Sequence, residues 1–165
     1  MKTLVPSRQS SWWSAPSVGV GAVHEELGRR LSAVREDFAK TVEGSEKVEA
    51  LRALQQSVRD ALVPNWDGYD ANAVSAATYS WAYKFLMALP GVIPMPEVAV
   101  NPNGDISFEW YRDAQHVLSV SIDERGLLYY SGLFGPKSTY GTDQFAEELP
   151  DEIARQIQRH LSDTD

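Results

Sequence analysis

The run Val98-Ala99-Val100-Asn101-Pro102-Asn103-Gly104-Asp105-Ile106-Ser107-Phe108-Glu109-Trp110-Tyr111, continued by Leu118-Ser119-Val120-Ser121-Ile122-Asp123-Glu124-Arg125-Gly126-Leu127-Leu128-Tyr129-Tyr130, decides the fold. Its large apolar residues fall on every second position, the period of a strand with one buried face. Asn101–Asp105 has turn chemistry, and Asp123-Glu124-Arg125-Gly126 reads as a tight turn whose last residue is Gly. Slipping any strand by one residue would turn its apolar set toward water, so the pattern also sets the pairing. Val100 should lie opposite Ile106, Trp110 opposite Leu118, and Ile122 opposite Leu128. The result is an antiparallel meander of four strands with a three-residue turn ending at Gly126. Its other face carries Ser107, Glu109, Tyr111, Val117, Ser119, Ser121, Tyr129 and Ser131. Past Gly132-Leu133-Phe134-Gly135-Pro136 the alternation weakens, and residues 138–146 are expected as a fifth, edge strand.

Upstream the period changes to that of helices. Val23, Leu27, Leu31, Val34 and Phe38 form one amphipathic stripe, and Val48, Leu51, Leu54 or Gln55, Val58 and Leu62 form another, capped by Ser45 and stopped by Pro64. Together they predict a helical hairpin over 22–63, preceded by a Ser/Pro/Gly-rich tail, 1–21, in which Trp12-Trp13 is expected to dock on something. A third helix, Ala76 to Leu89 with Ser75 as its cap, buries Tyr79, Ala82, Phe85, Leu86 and Leu89. Its apolar character makes it the one to cross the sheet. Pro150 opens a last helix with Ile153, Ile157 and Leu161 inward. The fold class is therefore α+β: helical hairpin, one helix on a four- to five-stranded antiparallel meander, and a C-terminal helix. Residues 64–165 form the α+β domain, in one compact unit with 22–63.

Between the second and third helices lies Asn65-Trp66-Asp67-Gly68-Tyr69-Asp70-Ala71. Two aromatics and two acids in so short a connector admit two readings. Trp66 and Tyr69 staple the helices to the sheet, or Trp66, Asp67, Tyr69 and Asp70 form an acidic-aromatic knob for a protein partner. The open sheet face, with Glu109, Tyr111 and Tyr129, is the rival binding surface.

Composition narrows the function classes. The chain has 165 residues, no Cys and a net charge of −8, so disulfides, thiolate metal sites and Cys nucleophiles are excluded. The charge is uneven: residues 1–63 carry 9 basic and 8 acidic residues, residues 64–165 carry 6 and 15. The acidic part repels phosphates, which argues against direct nucleic-acid binding and suits a basic protein partner. No apolar run spans a bilayer, and the N-terminus lacks the apolar core of a secretory signal, so a cytoplasmic protein is expected.

The three histidines, His24, His116 and His160, show no metal spacing, and neither a phosphate-binding Gly loop nor a nucleophile elbow is present. Asp105 and Glu109 share a strand parity but stand about 13 Å apart, too far for paired-carboxylate hydrolysis. No cofactor or metal is expected.

Trp66-Asp67-Gly68-Tyr69, the helix ending in Phe85-Leu86, the Gly104…Glu109-Trp110 strand and the Leu118-Ser119-Val120-Ser121-Ile122-Asp123-Glu124-Arg125-Gly126 hairpin resemble a type of small bacterial protein with a WDGYGA core. The resemblance covers roughly residues 50–131. This chain departs from it at Asp70, where that pattern has Gly. The type has no assigned activity to carry over; the resemblance implies an accessory gene of bacterial or mobile-element origin. The expectation is a non-catalytic protein–protein interaction module, antitoxin-like or accessory to a defence or anti-defence system. The alternatives are an acidic mimic of nucleic acid that inhibits a basic protein, and an enzyme whose site converges only in space.

Overall fold

The computed structural model of the chain describes residues 28–30 and 45–162. The tail over 1–21 with Trp12-Trp13, His24, and the first helix of the expected hairpin lie outside the described residues, apart from a helical 28–30. The remainder is an α+β structure in the order α1 (Ser45–Asp60), α2 (Ala76–Ala88), β1 (Glu97–Val100), β2 (Ile106–Asp113), β3 (His116–Ile122), β4 (Leu127–Phe134), β5 (Lys137–Gln144) and α3 (Asp151–Ser162). The strands form one antiparallel sheet in the order β1-β2-β3-β4-β5.

All three pairings expected from the apolar period are present: Val100 opposite Ile106, Trp110 opposite Leu118 and Ile122 opposite Leu128. Asp123 and Leu127 close the turn over residues 124–126, with Asp123 N–H donating to the Leu127 carbonyl at 3.1 Å. At the β1–β2 turn Gly104 adopts φ 89°, and a Cβ there would stand 3.0 Å from the Ala73 carbonyl oxygen. Only glycine meets both demands.

The helices lie on one face of this sheet. α2 begins at Ser75, whose hydroxyl accepts from Thr78 N–H at 3.0 Å. Its expected stripe is buried throughout, and Phe85 stacks on Phe108 of β2 with ring centroids 4.7 Å apart. α1 packs along β1 and α2, burying Leu51, Leu54 and Val58. α3 covers β3 and β4 with Ile153 and Ile157.

Two boundaries and the burial of one residue differ from the sequence reading. α1 ends at Asp60, four residues before Pro64, because the chain turns at Ala61, whose N–H bonds the Val58 carbonyl at 3.1 Å. The fifth strand spans 137–144 rather than 138–146, since Phe145 leaves the strand to fill the core beside Phe85 and Trp81. Leu161, expected inward, is 37% exposed because it sits on the last turn of α3, where it borders a surface notch beside β1 and β2.

Candidate functional site

The uncovered sheet face gathers residues from all five strands. Crossing it in register, one row runs Glu97, Glu109, Ser119, Ser131, Tyr140, and the next runs Ala99, Ser107, Ser121, Tyr129, Thr142. A third runs Tyr111, Val117, Leu133, Ser138. Serines fill the middle, and larger side chains stand at the margins. Tyr111, Leu133, Tyr129 and Tyr140 are all exposed, Tyr140 to 84%. Glu97 and Glu109 oppose each other directly across β1 and β2, a destabilising like-charge pair. Among the strand residues of this face there is no Lys or Arg to offset them. Arg125, in the β3–β4 turn, reaches the Tyr129 hydroxyl at 3.3 Å from the rim.

Beside the two glutamates, β1 stops short of the end of β2 and leaves a notch of ≈ 460 Å³ bordered by Glu97, Glu109, Tyr111, Arg112 and His160. His160 faces it from α3, nearly fully buried, with no hydrogen-bond partner for Nδ1. Burial holds its imidazole below the usual range, helped by the charges of Arg112 and His116 and opposed by Asp113. Asp113 in turn bonds His116 Nδ1 at 2.9 Å.

The Trp66–Asp70 segment lies elsewhere, at the end of the sheet where the β1–β2 turn sits. It is closed on itself. Asp67 Oδ1 accepts from Tyr69 N–H at 2.7 Å and Ala71 N–H at 3.2 Å, and Asn65 N–H bonds the Ala71 carbonyl at 2.7 Å. Asn72 N–H ties the segment to the Pro102 carbonyl at 2.7 Å. Trp66 is half-buried against the core and donates to the Asn72 carbonyl at 3.0 Å, while Tyr69 is 88% exposed. Of the two aromatics expected to staple the helices to the sheet, only Trp66 packs; Tyr69 does not, because the turn points it into solvent.

Asp70 takes φ 65°, a conformation that costs most residues about 1–2 kcal/mol and Asp somewhat less. Asp70→Gly should therefore raise the urea midpoint by the equivalent of about 0.5 kcal/mol, the relief of strain outweighing the added chain entropy. A lowered midpoint would mean that the Asp70 side chain is itself in use.

A polar cleft of ≈ 480 Å³ between this segment and the turns is bordered by Asn72, Thr78, Asn103, Asp105, Asp123 and Arg125. Burial pushes the Asp105 carboxyl up, against the Asn103 amide that donates to it at 2.6 Å. Both Asp123 oxygens are occupied by the turn and by Arg125. Among the described residues no group of three or more His, Asp or Glu is arranged to hold a metal ion, and no helix is long and apolar enough to cross a membrane.

The seven residues singled out from sequence therefore separate. Glu109, Tyr111 and Tyr129 share the open face, and Trp66, Asp67, Tyr69 and Asp70 belong to the connector. Glu97, Leu133 and Tyr140 were not singled out, although continuing the strand parity from Glu109 to its partner and from Tyr129 onward finds the first two. No family model, curated protein or solved structure matches this chain.

Proposed function

We propose that the chain is a non-catalytic protein-binding module whose open sheet face takes a basic partner. The carrying observation is the Glu97–Glu109 pair, directly opposed on an exposed face to which no strand residue contributes a Lys or Arg, with Tyr111 beside it. A Lys or Arg side chain from a partner would relieve the repulsion and could lie against the Tyr111 ring. The serine rows between the margins offer hydroxyls without bulk, which lets a flat surface approach closely. An accessory role of the antitoxin or defence kind, in the cytoplasm, fits the acidic balance and the resemblance of the connector.

The test is co-purification from the native host with wild-type and substituted chains side by side. Wild type and Tyr69→Ala should retain the same basic protein. Tyr111→Ala and Glu97→Gln/Glu109→Gln should weaken its binding about tenfold or more, with unchanged thermal stability or a slight gain for the double Gln variant. Retention by the face variants and loss by Tyr69→Ala would move the site to the connector. A DNA-competitive partner released at high salt would favour the nucleic-acid mimic instead.

A further inference from the structure

The two edges of the sheet are built differently. β1 has only four residues, is preceded by Pro94 and Pro96, and has α1 along it, with Ser57 Oγ donating to the Val98 carbonyl at 3.4 Å. Those are devices that blunt an edge. β5 has eight residues, no proline and no bulge in its register with β4, and no strand among the described residues lies outside it. A long flat edge of this kind is a template for another strand.

The hydrogen-bond phase of that edge can be worked out. Phe134 and Lys137 flank the two-residue turn Gly135-Pro136 and so form a hydrogen-bonded pair. It follows that Lys137, Thr139, Gly141 and Asp143 turn their backbone groups toward β4. Phe145 N–H, bonded to the Gly126 carbonyl at 3.0 Å, continues the same parity. Ser138, Tyr140, Thr142 and Gln144 turn theirs outward, and all four are exposed. Gln144 N–H is already taken by the Asp143 carboxylate at 2.8 Å, which leaves Ser138, Tyr140 and Thr142 as the free row.

We infer that β5 pairs with β5 of a second copy of this chain, antiparallel about a two-fold axis through Tyr140. In that register Tyr140 meets Tyr140, and Ser138 of each copy meets Thr142 of the other, so every outward donor faces an outward acceptor. A shift by one residue would oppose outward groups to inward ones. A shift by two puts the axis at Thr139 or Gly141 and loses what singles this register out: Lys137 and Asp143 are each three residues from Tyr140. Lys137 of one copy therefore falls opposite Asp143 of the other, twice by symmetry. β5 is self-complementary in charge as well as in hydrogen bonding, as an isologous interface requires. The two sheets join into one of ten strands, with the paired Tyr140 rings in the middle of a doubled open face. The inference stands independently of what that face binds.

Sedimentation velocity on the full chain over a range of concentrations tests it. The wild type should be a concentration-dependent dimer. Thr142→Pro removes an outward N–H without touching the β4 ladder and should give a folded monomer by circular dichroism. Lys137→Asp sets like charges opposite each other twice and should weaken dimerisation about tenfold. Lys137→Asp/Asp143→Lys should restore it, a result that a folding defect could not produce. A wild type that stays monomeric at its highest soluble concentration, or a dimer indifferent to the charge substitutions and their exchange, would overturn the assignment.

Discussion

Phe85→Ala is expected to lower stability by about 3–5 kcal/mol, the largest loss from a single truncation in this core. Phe85 is fully buried, stacks on Phe108 of β2, and meets the Phe145 ring edge-on with centroids 5.7 Å apart. It is the point at which α2, the sheet and the segment after β5 meet, so no neighbour can collapse into the space without giving up its own contacts. Domains of this size are held by about 5–15 kcal/mol, so the variant should be partly unfolded at warm temperatures. In urea its midpoint should fall while the slope holds. Met87→Ala is the control: Met87 is 42% exposed on the same helix, and its truncation should change stability by about 0.5 kcal/mol or less. Equal losses at both positions would mean that α2 does not pack through its Phe85 face.

The packing behind that prediction was largely legible in the sequence, because two different periods were each unambiguous. Tyr79, Ala82, Phe85 and Leu86 recur with the helical period, and Ile106, Phe108 and Trp110 alternate. A strand period excludes every odd slip of register, and the short turns at Asn101–Asp105 and Asp123–Gly126 exclude the even ones. β5 was hardest to read for a physical reason. Its positions on the helix-covered face are Thr139, Gly141 and Asp143, none of them a large apolar residue. The Tyr130 side chain of β4 lies across Gly141 instead, its hydroxyl 2.5 Å from where a Cβ would stand. The buried surface over β5 is thus lent by a neighbouring strand, and no period in β5 itself records it.

The binding surface was half legible. Parity placed Glu109, Tyr111 and Tyr129 on one face, but the opposition of Glu97 to Glu109 depends on where β1 begins. That in turn depends on Pro94 and Pro96 and on the Trp110 indole, which donates to the Pro94 carbonyl at 2.8 Å. The connector misled in the opposite direction. Its aromatic content drew attention as a unit, yet burial separates Trp66 from Tyr69, and burial of one residue in a turn leaves no periodic trace. The left-handed backbone of Asp70, φ 65°, likewise belongs to one residue of a turn and leaves no periodic trace.

The β3–β4 turn carries the second large effect. Asp123 is buried at 7% exposure, its Oδ1 accepts from Arg125 N–H at 2.8 Å and Leu127 N–H at 3.0 Å, and its Oδ2 accepts from Arg125 Nε at 2.9 Å and an Arg125 terminal nitrogen at 2.7 Å. Asp123→Ala strands two turn N–H groups and should cost about 2–3 kcal/mol. Arg125→Ala should cost well under that, because the guanidinium is 69% exposed and its ion pair is screened. Burial alone would raise the Asp123 carboxyl, but the Arg125 guanidinium and the Leu127 and Arg125 N–H groups outweigh it and hold it below the ordinary 3.8. A carboxyl depressed in the folded state contributes stability that is fully present above its unfolded value and is lost as pH falls through the folded one. Wild type should therefore lose this contribution only below about pH 4, and Asp123→Asn, less stable at neutral pH, should lack that part of the acid slope. The turn also sets where β4 begins and so where Tyr129 stands, with Arg125 on its hydroxyl. If Asp123→Ala and Arg125→Ala were equally destabilising, the ion pair rather than the turn's N–H groups would be what holds β4 in register.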